Sequence, residues 1–120
     1  ADYLRARGAQ SGSGNGRYPY LRARGDAVML CVAAARGDMQ CLREQVLSRG
    51  KSPDLRDQNK RTPVHLAASE GQMAALRFLV EEAHAQVNPT DRWGDTPLDD
   101  AVRHGDTTLV TYLWTHGANL

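Results

Sequence analysis

Asp100 and His104 stand four apart with Asp99 alongside, a spacing that brings two side chains to one face of a helix and offers a metal two ligands. A metal site needs three or four, so the expected arrangement is a solvated helix face with a local ion pair, and no metal or other cofactor. Ser48 and Lys51 have the Ser-x-x-Lys spacing of some acyl-transfer enzymes. That chemistry needs the serine on a rigid helix start beside an oxyanion hole, and here it falls at a helix end before a loop. His65 has no nucleophile or base fixed beside it. Arg24-Gly25-Asp26 and Arg36-Gly37-Asp38 are adhesion-type tripeptides without an extracellular signal, and the second falls at a turn that needs glycine. Arg5, Arg7, Arg17, Arg22 and Arg24 interleave with Tyr3, Tyr18 and Tyr20. Without a known binding fold that is a poor argument for nucleic acid, which is not expected as a partner. The groupings point away from an enzyme and from a small-molecule substrate.

These residues must be positioned by elements, and the elements repeat. Arg61 to Gly71 reads Arg-Thr-Pro-Val-His-Leu-Ala-Ala-Ser-Glu-Gly. Thr62 suits a helix N-cap, and Pro63 follows at the first helical position, where a missing N–H costs nothing. Val64, Ala67 and Ala68 share a face, and Gly71 stops the helix by tolerating positive φ. A helix of about two turns does not persist alone in water. Met73, Ala75, Leu76, Leu79 and Val80 supply an apolar stripe at helical spacing to pack on it. Thirty-four residues later Thr96-Pro97-Leu98, Ala101-Val102, Gly105, Val110 and Leu113-Trp114 reproduce the pattern. Thirty-four residues earlier Ala33-Ala34, Gly37, Met39 and Leu42 do so again. A fixed period of this length marks stacked helical pairs.

At Thr-Pro-Val-His-Leu-Ala-Ala the chain resembles the ankyrin repeat, over roughly residues 26–120. The resemblance implies an all-α solenoid of stacked helix-turn-helix pairs with turn tips along one edge. It also implies that His65 ties its turn together near the Thr62 hydroxyl. More narrowly, Val87 to Ala101, with Asp91-Arg92-Trp93-Gly94 at its centre, resembles the ankyrin segment appended to kidney- and liver-type glutaminases. Similar blocks accompany plant-type potassium channels and some plant kinases. In none of these does the ankyrin part carry the reaction.

Repeats are expected over about 26–56, 57–90 and 91–120, the second with one extra residue near Ala83-His84-Ala85. Residues 1–10 align with Val110 to Asn119 and read as the remnant of a preceding repeat. Ser11 to Gly16 reads as a flexible linker, so 1–25 form a remnant plus linker. In the turn Asp57-Gln58-Asn59-Lys60 the ankyrin pattern prefers glycine last, and Asn59 is expected to take the left-handed conformation instead of Lys60. Repeat three is expected to be a C-terminal cap whose Asp99 and Asp100 meet water, and Trp114 is expected in the core.

Charged residues make up 24% and hydrophobic residues 41%, ordinary for a globular protein. No run is long enough to span a membrane. The net charge is +1, but residues 1–56 carry ten basic and five acidic groups (+5) and residues 57–120 five and nine (−4). Cys31 and Cys41 fall on helix positions and are expected as buried thiols in an intracellular setting, the cytoplasm or another reducing compartment. The function expected is non-catalytic: a rigid concave surface presented to another protein or to a subunit of a larger assembly. The alternative is a regulatory appendage of a larger enzyme, glutaminase-like, or of an ion channel. The expected contact residues are Arg36, Gln58, Asn59, Arg61, Ser69, Glu70, Arg92, Trp93, Asp95, Arg103 and His104.

Overall fold

A computed structural model describes residues 25–118. The repeat remnant, the linker and the basic–aromatic stretch expected before Gly25 lie outside the described residues. Six helices form three antiparallel pairs: α1 (Asp26–Arg36) with α2 (Met39–Arg43), α3 (Pro63–Ser69) with α4 (Met73–Arg77), and α5 (Pro97–His104) with α6 (Thr107–Thr115). Helix α1 packs on α3 and α3 on α5, so the pairs stack in chain order. Among the described residues there is no strand.

The sequence dictates each start and stop. Thr62 and Thr96 accept the backbone N–H groups of His65 and Asp99, and Pro63 and Pro97 open α3 and α5. Asp38 and Asp106 cap α2 and α6 in the same way. Gly37 and Gly105 close α1 and α5 with φ of 71° and 86°, in the left-handed region that a side chain resists. The alanine pairs Ala33-Ala34 and Ala67-Ala68 are fully buried, as is Ala101, and their small size lets successive first helices approach closely. Leu30, Leu42, Leu76, Leu79, Leu98, Leu109 and Leu113 fill the space between the layers.

Helices α2 and α4 each run on into one π turn, Glu44–Ser48 and Phe78–Glu82, whereas α6 stays regular. A π turn absorbs one inserted residue. That accounts for the extra residue in repeat two, placed inside the second helix, and for Gly117 closing repeat three one residue early. Gly50 and His84, one period apart, both take positive φ, 71° and 58°.

The turn between Asp57 and Arg61 departs from expectation. Lys60 itself adopts the left-handed conformation (φ 63°), and Asn59 does not. Asp57 Oδ1 accepts the N–H groups of Asn59 (2.8 Å) and Arg61 (3.1 Å), which fixes the turn and leaves position 60 to bear the conformation that Gly94 bears in the next repeat. Lys60→Gly is therefore expected to stabilise the array by about 1 kcal/mol, measured by urea unfolding. No gain would mean that the strain is relieved elsewhere.

The outer side of repeat three carries apolar side chains where polar ones were expected. Asp100 is buried, because its position corresponds to Leu66 and it is turned back toward repeat two. Trp114, expected in the core, is 60% exposed, and Val102 is 53% exposed. They occupy the positions of Val80 and Ala68, which in repeat two are half-buried and buried where repeat three follows. Val110 is half-buried for the same reason.

Candidate interaction ridge

Two turns with the same geometry form the ridge. Asp91 Oδ1 accepts from the N–H groups of Trp93 (2.9 Å) and Asp95 (3.0 Å), as Asp57 does one period earlier. Asp57 N–H donates to the Arg61 carbonyl and Asp91 N–H to the Asp95 carbonyl, each at 3.0 Å. The Arg92 N–H reaches the Asn59 carbonyl at 2.9 Å, and Arg92 Nη1 reaches Asn59 Oδ1 at 3.2 Å. Neighbouring tips are thus held in register by backbone and side chain together.

Beneath the tips lies a row of bonds between repeats. His65 is fully buried. Its Nδ1 accepts the Thr62 N–H at 3.1 Å, so Nε2 carries the proton and donates to the Asp95 carbonyl at 2.9 Å. Burial holds its pKa below the ordinary histidine value, an effect the Asp95 bond only partly offsets. One period earlier Cys31 makes the equivalent contact: Sγ–H donates to the Arg61 carbonyl at 3.6 Å. Burial, with the Asp57 carboxylate nearby, pushes that thiol up to about 12, so it is a weak nucleophile. Cys31 and Cys41 are both buried, and neither forms a disulfide.

Arg61, 16% exposed, lies under the ridge instead of on it. Its guanidinium donates to Asp91 Oδ2 at 2.7 Å and to Asp100 Oδ2 at 3.0 Å. Asp100 Oδ1 also accepts from Arg103 Nη1 at 2.9 Å, and Arg103 Nη2 meets Asp95 at 3.1 Å. Burial raises the Asp100 carboxyl above its usual range, more than the two guanidinium groups lower it. Asp91 is also raised by burial, but the Asp95 and Trp93 N–H groups and Arg61 bring it below its usual value.

The expected contact residues therefore divide. Arg36, Gln58, Glu70, Arg92 and Trp93 are exposed; Trp93 most clearly, at 63%, with the Arg92 guanidinium 5.5 Å from its ring. Arg103 is exposed but engaged by Asp95 and Asp100, and exposed His104 leans over Gly71, where its Nε2 would meet an added Cβ at 2.7 Å. Asn59, Ser69 and Asp95 are half-buried and Arg61 is largely withdrawn. The reading of the sequence missed two exposed cations of the tips, Arg56 and Lys60. Arg56 Nη1 crosses to the Thr90 carbonyl at 2.8 Å, one period away, a register that the 34-residue repeat already contained.

The tempting motifs are consumed by structure. Asp100 is paired with arginines and His104 lies elsewhere, Asp38 caps α2, and Lys51 pairs with Asp26 at 2.9 Å. On the opposite side, repeats are joined by Arg43 to Glu82 and by Tyr112 to Glu81. Among the described residues no helix is long and apolar enough to cross a membrane.

Stacked pairs with one ridge of turn tips define a helical-repeat module for binding another protein. A sequence profile described as "Ankyrin repeats (3 copies)" matches residues 30–120, and the chain belongs to the ankyrin-repeat family, whose members are protein-interaction modules. It is 46% identical over 84 residues to the potassium channel KOR1 of Oryza sativa subsp. japonica, covering 70% of this chain and 10% of the channel. It is 41% identical over 88 residues to the mitochondrial liver isoform of glutaminase from Mus musculus, covering 72% of this chain and 14% of the glutaminase. The crystal structure of the human ASB11 ankyrin repeat domain superposes with a TM-score of 0.67 at 31% identity, over 75% of this chain and 40% of that one. The chain thus spans a small part of the curated relatives it matches, and their similarity to it lies in the ankyrin segment.

Proposed function

We propose that the ridge from Gln58 to Trp93, with the exposed ends of α3 and α5, captures a partner protein or a neighbouring subunit without catalysing a reaction. The observation that supports this best is Trp93: an exposed aromatic side chain, held by an arginine on a tip fixed by backbone bonds, is the kind of anchor that dominates binding hot spots. Both His65 ring nitrogens are taken by backbone and turn groups, which fits a structural histidine. Two buried cysteines outside any disulfide fit a reducing intracellular compartment. Arg92→Ala/Trp93→Ala is expected to weaken partner capture by about 2 kcal/mol or more, some thirtyfold, with the melting temperature nearly unchanged. Affinity measured with the partner recovered by cross-linking in the native assembly checks this. Undiminished capture would end the proposal.

A second reading is favoured by the coverage of the relatives: the matched stretch is 10% of a channel and 14% of a glutaminase. On that reading the module is a regulatory appendage docking on its own parent protein, and the cross-links would run within one polypeptide.

A further inference from the structure

By composition, the part of the chain that carries the ridge is acidic: residues 57–120 sum to −4. The folded ridge has the opposite character. Asp57 and Asp91 turn inward, each accepting two backbone N–H groups of its own turn. Asp100 is buried against Arg61, and Asp99 accepts the Thr96 N–H and hydroxyl at the start of α5. Asp95 is held by Arg103. What is left outward along the two tips is Arg56, Lys60 and Arg92, all exposed, and no acidic side chain forms an ion pair with any of them among the described residues. Arg92 spends one N–H on Asn59, and Arg56 spends one nitrogen on the carbonyls of Thr90 and Lys60, so both keep donors directed to solvent.

Building on the protein-binding role proposed for this ridge, we propose that its partner is an acidic, extended protein segment lying across the two tips, with an aromatic or aliphatic side chain against Trp93. Carboxylates suit the pre-held guanidinium groups of Arg56 and Arg92. The exposed Trp93 face supplies the apolar contact that charge alone lacks. A nucleic acid fits less well, because three exposed cations over two tips neutralise only a few phosphates of a backbone that carries one at every nucleotide. The inward use of Asp57, Asp91 and Asp100, with Arg56 added from the basic stretch before residue 57, is what leaves cations along the edge.

The full 120-residue chain, labelled with nitrogen-15, is titrated with a short synthetic peptide of alternating glutamate and aspartate flanking one phenylalanine. Parallel titrations use the glutamine/asparagine version of that peptide and an oligothymidylate. Amide shifts are expected at residues 56–60 and 90–95, with affinity falling about tenfold between roughly 50 and 500 mM salt. Lys60→Glu/Arg92→Glu should abolish binding. Arg77→Glu, on α4, should leave it within about twofold, and circular dichroism should show both variants folded. Shifts elsewhere, or equal loss in Arg77→Glu, overturn the assignment, as does tighter binding of the oligothymidylate at the tips. Equal binding of the neutral peptide through Trp93 overturns the acidic partner but leaves the ridge as a docking surface. Failure of the ridge itself shows separately, as partner capture indifferent to Arg92→Ala/Trp93→Ala.

Discussion

Arg61→Ala should destabilise the protein by about 3 kcal/mol or more, lowering the melting temperature by roughly 10–20 °C. Among the described residues Arg61 is the one cation that reaches both Asp91 and Asp100, which are themselves buried. Removing it leaves two carboxylates in a place where water cannot replace the lost hydrogen bonds. Arg103 remains at Asp100 Oδ1, but its side chain is 62% exposed and solvent screens it. Thermal and urea unfolding of the variant give the number directly, and a loss below about 1 kcal/mol would show that water enters the site freely.

A double-mutant cycle separates the charge from its position. Asp100→Leu places at 100 the residue that repeat two carries at 66, and it removes a carboxylate whose pKa burial has raised. It should cost less than Arg61→Ala, because Arg61 keeps Asp91. Arg61→Ala with Asp100→Leu should recover at least half of the Arg61→Ala loss, since Asp91 still accepts two backbone N–H groups. Additive losses would show that Arg61 acts through its turn and not through Asp100.

Much of this architecture was legible beforehand, because the repeat imposes caps and apolar positions together. Thr62-Pro63 and Thr96-Pro97 announced their helices, and Leu76, Leu79 and Leu113 are buried as their spacing required. Where reading failed, the deciding partner lay one repeat away. Asp100 looked like a solvated residue because Arg61, thirty-nine positions earlier, cannot be seen from its own helix. Arg61 looked like a contact residue for the converse reason. Trp114 shared its register with half-buried Val80, yet burial there depends on a following layer, which periodicity alone does not supply. The exposure of Arg92 and Trp93 was legible from their position in the repeat. The inward turn of Asp57 and Asp91 was not, because charge counting treats a carboxylate that accepts backbone N–H groups as equal to one in water.

His65 provides the sharpest test of how the layers are coupled. Its imidazole joins the Thr62 turn to the Asp95 carbonyl only as the neutral ring with the proton on Nε2. A second proton on Nδ1 would oppose the Thr62 N–H inside a buried site. The folded pKa therefore lies below the unfolded value of about 6.5, and the unfolded chain binds the proton first as pH falls. Stability from this group is complete above that value and declines as pH drops below it toward the depressed folded pKa. For one proton the slope approaches about 1.4 kcal/mol per pH unit. His65→Gln keeps an acceptor and a donor but does not titrate, so urea-unfolding free energies from pH 7 to pH 5 should lose that slope while the wild type retains it. His65→Ala, which leaves a cavity, an orphaned Thr62 N–H and an unpaired Asp95 carbonyl, should cost about 3 kcal/mol at pH 7. Parallel pH profiles for wild type and His65→Gln would remove the imidazole from the coupling between repeats two and three.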